Sequence, residues 1–141
     1  MPRLIVDASF AVKWFVLEDH SDRALPLLDT DTVLVSPDIV RIEVASALSR
    51  RVREGGLVFI EASNGITALS RYSAEFPPSE ALLQEALSIS VALKHPLYDC
   101  VYLAAAKSRQ MTVLAADQKF AEKVSGTPYS TDVVLLSSRE E

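Results

Sequence analysis

Cysteine is nearly absent: Cys100 is the only one in 141 residues. A lone thiol excludes an intramolecular disulfide framework and a cysteine-based zinc cluster, and it fits a reducing compartment. Glycine is scarce, with 4 residues, and proline numbers 7, which excludes collagen-like and low-complexity chains. No glycine-rich phosphate loop occurs, so the nucleotide-binding fingerprints are missing. His20 and His95 are the only histidines. Neither has a nucleophile at motif spacing, which argues against a histidine-based triad. Long hydrophobic runs are also lacking. The most apolar early stretch, Leu4 to Leu17, is broken by Asp7 and Lys13, whereas a signal-peptide core is uncharged and a membrane span needs about 20 apolar residues. The expectation is a soluble cytoplasmic protein with no membrane association. Positive charge is in deficit, 14 Lys+Arg against 19 Asp+Glu for a formal net charge of -5. Taken over the whole molecule, that speaks against a polyanion partner.

What is present is an ordinary core-forming composition, 49% hydrophobic and 23% charged. A chain of this length hides about two-thirds of its surface on folding, enough for one domain without staples. The expected domain is a single unit over residues 1–141.

Leu4-Ile5-Val6 reads as a buried strand stopped by Asp7. Helical content follows over Ala8 to Leu17 and again over Ser21 to Leu28. Val33-Leu34-Val35 is a second strand. Ser36-Pro37-Asp38 predicts a helix start with Ser36 as the cap, and that helix runs to Glu54 and stops at Gly55-Gly56. Leu57 to Tyr72 reads as a helix weakened at Gly65 by about 1 kcal/mol. Pro77-Pro78 forbids helix, so Ala74 to Pro78 is extended or a loop. Ser79 is expected to cap a helix reaching Lys94. His95-Pro96 breaks it, and Leu97 to Arg109 follows. Thr112 to Ala116 is a third strand, Gln118 to Val124 a short helix, and Asp132 to Leu136 a last strand. Strands alternating with helices predict an α/β layer fold with a largely parallel sheet.

In such a sheet, sites form beyond the carboxyl ends of the strands. Asp7 follows the first strand and Asp117 the third, so both project from one edge. Glu43 lies in the second turn of the helix after the second strand. Asp99 lies in the first turn of the helix feeding the third strand, although the intervening reversals leave its end of the fold open. Each acid has a structural alternative: Asp7 and Asp117 as helix caps, Asp99 as a partner of the helix dipole. Glu43, flanked by the apolar Ile39, Ile42 and Ala47, is expected to face inward. Buried carboxylates need a partner. Two of them about 4 Å apart repel by roughly 4 kcal/mol at an effective dielectric near 20. Oxygen ligands without Cys or clustered His favour Mg²⁺ or Mn²⁺ over zinc.

The segments LIVDASFAVKWFVLED (Leu4 to Asp19), RIEVASAL (Arg41 to Leu48), LYDCVYLAAAK (Leu97 to Lys107) and VLAADQKF (Val113 to Phe120) come in the order and spacing of PIN-domain ribonucleases. The first resembles the VapC toxins of toxin–antitoxin pairs in particular. The resemblance implies a PIN-like three-layer fold, a central mostly parallel sheet flanked by helices. It also implies a Mg²⁺-dependent endoribonuclease, with Mn²⁺ as the substitute ion. By the same resemblance Asp7 and Asp99 are the principal metal ligands, Glu43 and Asp117 complete the acidic pocket, and Ser9 supports it. RNA as substrate, a cognate antitoxin and a homodimer are family expectations. One departure is Ala115, where many members carry Thr or Ser.

Matching the four acids with two Mg²⁺ would remove most of the charge deficit. RNA contact then falls to local cations: Lys13, Arg41, Arg50, Arg51, Arg53, Lys107, Lys119 or Lys123. Arg50 lies two turns past Glu43 on one helix face. The plain reading of the Arg50-Arg51-Val52-Arg53 run is a set of cations at a helix C-terminus. Trp14, Phe15, Tyr98 and Tyr102 read as core or interface, and Cys100 as a small buried residue. Two other readings compete. A dehalogenase-like phosphatase needs a second acid where Ser9 stands. A non-catalytic module that only binds RNA or a partner has Ala115 in its favour.

Overall fold

The computed structural model describes residues 2–129 and 132–135. Four parallel strands lie in the order β2-β1-β3-β4: β1 Arg3–Val6, β2 Val33–Val35, β3 Thr112–Ala115 and β4 Val133–Leu135. Leu136, expected at the end of the last strand, lies outside the described residues. The register sets Ile5 opposite both Val35 and Val113. Short runs of Ile, Val and Leu suit strands covered by helices. Because all pairings are parallel, every strand ends at the same edge of the sheet.

The helices are α1 Ala8–Ala11, α2 Ser21–Ala24, α3 Ile39–Arg53, α4 Phe59–Tyr72, α5 Leu83–Leu93, α6 Leu97–Arg109 and α7 Gln118–Val124. Three expected helices are interrupted. Ala8 to Leu17 becomes α1 plus a 3₁₀ turn ending at Trp14, and Ser21 to Leu28 becomes α2 plus a 3₁₀ turn over Leu25–Asp29. Pro26 supplies no N–H in the second, so a regular α-helix cannot continue through it. Ser79–Leu82 is likewise a 3₁₀ turn before α5. Helix α3 stops where Gly55 takes φ +83°, a conformation open to glycine at little cost.

Helix α6 is buried from Cys100 through Ala106, packed between α5 and strands β1 and β3. Gly65 on α4 is more than a weak point: a Cβ there would lie 3.2 Å from the Phe15 ring. Trp14 donates its ring N–H to the Ala24 carbonyl at 3.0 Å and meets Phe10, Phe15 and Tyr72 edge-on.

Two expected caps are placed differently. Ser36 is buried and donates to the Val6 carbonyl at 2.7 Å, tying the end of β2's loop to β1. Ser79 caps a helix other than its own: its hydroxyl accepts the Ile39 N–H at 3.1 Å, while the Asp38 carboxylate accepts the Ser79 N–H at 2.9 Å. This reciprocal pair starts α3 across 41 positions of chain. The extended segment before Ser79 lies along the free edge of β2. There Ala74 N–H donates to Leu34 and Ser36 N–H to Glu75. No described helix is long and apolar enough to cross a membrane.

Candidate active site

Asp7 follows β1 and caps α1. Its Oδ1 accepts the Phe10 N–H at 3.0 Å and the Ser9 hydroxyl at 2.8 Å. Ser9 in turn accepts the Ala116 N–H at 3.0 Å, so one hydroxyl joins the ends of β1 and β3. The cap and site readings of Asp7 thus coexist in one carboxylate, which is only 2% exposed. Burial pushes its carboxyl up to about 7, helped by the nearby charges of Asp99 and Glu43 and opposed by its two hydrogen bonds.

Glu43 is half-buried on α3, whose inward stripe is Val40, Val44 and Leu48. Of the apolar neighbours that suggested an inward Glu43, Ile42 is itself 72% exposed. The Tyr102 hydroxyl, on α6, donates to Glu43 Oε1 at 2.5 Å. Burial, with Asp99 nearby, still raises the Glu43 carboxyl above the ordinary range. The Tyr102 phenol is pushed well up by its own burial and then by Glu43, so it stays a donor.

Asp99 occupies the first turn of α6 and lies at the same edge as the other acids. His95 Nε2 sits 2.6 Å from its Oδ2, and the His95 ring stacks on Phe120, centroids 5.3 Å apart. Burial raises the Asp99 carboxyl, His95 opposes that rise, and Asp117 adds to it. Asp117 follows β3 and caps α7, its Oδ1 accepting the Lys119 and Phe120 N–H groups at 2.9 and 3.3 Å. Electrostatic repulsion therefore links all four predicted acids: Asp7 with Glu43 and Asp99, Glu43 with Asp99, Asp99 with Asp117.

The PIN domain family profile matches residues 4–125. The chain belongs to the PIN domain family. This PIN domain is 31% identical over 125 residues to Ribonuclease VapC3 of Pyrobaculum aerophilum, covering 86% of the chain and 94% of that relative. Its fold resembles the crystal structure of PAE2754 from Pyrobaculum aerophilum, with TM-score 0.70 at 19% identity, covering 98% of this chain and 92% of that one. It also resembles a toxin-antitoxin complex from Klebsiella pneumoniae, with TM-score 0.67 at 16% identity, covering 94% and 97%. At those identities the two structures speak for the fold.

Two residues of this PIN domain site escaped sequence reasoning. His95, dismissed as isolated, pairs with Asp99 from the turn just before α6; the signal was its place four residues earlier. Tyr102, read as core, is core and also the Glu43 donor; its place three residues after Asp99 was the signal. Tyr98, read with it as core or interface, is not core: it is 59% exposed. Cys100 is buried as expected, its thiol pushed up to about 11 by burial and by Asp99. Most candidate cations have protein partners: Lys13 and Arg51 meet Glu18, Arg41 meets Ser70 and the Phe76 ring, Arg53 meets Ser49, and Lys107 meets Glu85.

Among the described residues, no group of three or more His, Cys, Asp or Glu side chains forms a ready-made metal cage. The donor set is nonetheless chemically suited to a hard cation. It is all oxygen, it is mutually repelling, and its most buried member is held half-protonated near neutrality. An open carboxylate set suits Mg²⁺, which keeps several of its own waters.

Proposed function

We propose that this PIN domain is a Mg²⁺-dependent endoribonuclease, with Mn²⁺ as a substitute, acting as the toxin of a type II toxin–antitoxin pair. The observation that carries the reading is Asp7, a buried carboxyl raised to about 7 beside two further acids and in want of a counter-charge. The likeness to Ribonuclease VapC3 supports RNA as the substrate. Divalent metal is the general cofactor of PIN-domain nucleases.

Asp7 and Asp99 are the metal-holding residues in this reading, with Glu43 and Asp117 completing the pocket directly or through water. A bound divalent ion supplies Lewis acidity and a water of lowered pKa. Ser9 and the Phe10 N–H hold Asp7, leaving its Oδ2 for the pocket. His95 holds Asp99 and Tyr102 holds Glu43. Glu43 or Asp117 accepts the proton of the attacking water as it adds to phosphorus. The P–O3′ bond breaks and the leaving O3′ takes a proton from solvent, which leaves a 5′-phosphate and a 3′-hydroxyl. The remaining partners are a cognate antitoxin and a second copy of the chain, and the setting is the cytoplasm.

A second reading, a module that binds RNA or a partner without cutting it, is favoured by Ala115, where many members carry a hydroxyl. Incubation of total cellular RNA with the purified protein separates the two. Discrete fragments that vanish with chelator and with Asp99→Asn establish the nuclease. Full activity in Asp99→Asn would sink the ligand assignment. Metal binding without cleavage would favour the module.

A further inference from the structure

Glu43 lies between two possible partners. On one side the Tyr102 hydroxyl donates to its Oε1 at 2.5 Å, while its Oε2 accepts no hydrogen bond among the described residues. On the other side opens a cleft of about 440 Å³, whose α3 wall includes Glu43, Ser46, Ala47 and Arg50. Arg50 is exposed. Its side chain has no hydrogen-bond or ion-pair partner among the described residues, unlike Arg51, which is tied to Glu18. Two helical turns, about 10.5 Å, separate Arg50 from Glu43. Ser46 and Ala47 between them are small, and helical side chains lean toward the N-terminus, which brings Arg50 within reach of Glu43 along the cleft.

Two forces draw Glu43 outward. The negative charge of Asp99 opposes its ionised form, and an unpaired arginine attracts it. Tyr102 opposes both. It is 1% exposed, so packing in the core fixes where its hydroxyl sits. It stands three residues after Asp99, on the same face of α6. The helix that brings Asp99 to the site therefore also carries the group that keeps Glu43 beside it.

We infer that Tyr102 is a positioning residue that holds Glu43 in the acid pocket, and that Arg50 draws Glu43 into the cleft when this hydroxyl is missing. This rests on the metal-dependent reading and adds which side chains decide whether Glu43 is available to the ion. The phenol is a neutral donor, so it restrains the carboxylate without cancelling the negative charge that a cation needs. A guanidinium in its place cancels that charge. A carboxylate deprived of its donor moves to the next one available, because an unpaired buried charge is costly.

The test uses the full-length protein. Tyr102→Phe keeps the ring in the core and removes only the donor. In calorimetric titration with Mn²⁺, affinity falls roughly tenfold, the scale of losing a group that orients a ligand. Adding Arg50→Gln to that variant recovers much of the loss, because the competing partner is gone. In Glu43→Gln protein, Tyr102→Phe causes no further loss, as expected of residues that act through one another, whereas a purely structural tyrosine weakens binding equally in both backgrounds. The side-chain Nε–H resonance of Arg50, read by NMR in metal-free protein, shifts in Tyr102→Phe and returns when Glu43→Gln is added. Circular dichroism confirms that each variant folds. Unchanged Mn²⁺ affinity in Tyr102→Phe, or an equal further loss in Glu43→Gln, overturns the role of Tyr102. An unmoved Arg50 resonance, or no recovery on adding Arg50→Gln, overturns the role of Arg50. The resonance needs no metal, so it separates this inference from the reading beneath it. A shifted resonance in a protein that binds no Mn²⁺ overturns the metal reading alone, and an unmoved resonance in such a protein overturns both.

Discussion

Asp7 and Asp117 are built alike and end up unlike. Each follows a parallel strand, each caps the next helix through Oδ1, and each accepts the backbone N–H three residues on. Yet Asp7 is buried and Asp117 is only half-buried. Asp7 faces both Asp99 and Glu43, while Asp117 acts on Asp99. The same local cap yields a buried carboxyl in one place and a half-buried one in the other. Local sequence sets the cap, and what packs over it sets the charge.

The sharpest break in that comparison is Asp7→Asn. Its amide oxygen still accepts from Phe10 and Ser9, so the fold persists while one pocket charge is lost. Cleavage is expected to fall by about a thousandfold, the scale of removing one preorganised electrostatic group, read as initial rates on RNA with Mg²⁺. In the same variant, thermal stability at pH 8 under chelator rises. Keeping the Asp7 carboxyl at about 7 rather than the usual 3.8 costs the folded state about 4 kcal/mol above that pH. Asp117→Asn leaves stability within about 0.5 kcal/mol of wild type.

The pH dependence sharpens the same contrast. Between pH 3.8 and about 7 the folded state keeps an Asp7 proton that the unfolded chain has lost. The stability this contributes is complete below the lower value and is lost as pH rises through the upper one. Urea melts of metal-free protein should therefore show falling stability from pH 4 to pH 8. Divalent metal should restore it, and Asp7→Asn should flatten the profile.

Smaller effects follow from the supporting residues. His95→Ala removes the partner of Asp99 and is expected to cost 10- to 100-fold, roughly the effect of losing a group that orients a ligand. Its readout is metal affinity by calorimetry alongside the cleavage rate. Ser9→Ala strips a donor from Asp7 and orphans the Ala116 N–H, costing about 1–2 kcal/mol in a denaturation midpoint. In stability, Asp117→Ala loses a helix cap, about 1 kcal/mol in the same midpoint.

Much of the fold was legible in the sequence. Leu4-Ile5-Val6, Val33-Leu34-Val35 and Thr112 to Ala116 are short apolar runs bounded by turn residues, and all three became strands, the last ending one residue early at Ala115. Helices α6 and α7 match their expected bounds. Helix capping was read less well, because Ser36 and Ser79 each satisfy groups far away in sequence. A hydroxyl beside a proline announces a cap, but a distant carbonyl or N–H can claim it. Of the candidate site, the four acids that lie near one another were named through their local motifs. The end of the fold that Asp99 occupies was not, because helix reversals leave no trace in periodicity.

The sequence by itself determined the elements, the order of the acids and the absence of cysteine or histidine clusters that would have pointed to other chemistry. These are local matters of composition, spacing and turn residues. Only the tertiary structure decided that β1 lies beside β3, that α6 carries Asp99 to that edge, and that Asp7 is covered while Asp117 is not. Those outcomes rest on strand pairing and burial between residues some hundred positions apart, such as Ser9 and Ala116. Desolvation and Coulomb repulsion depend on such distances in space, which no window of sequence records.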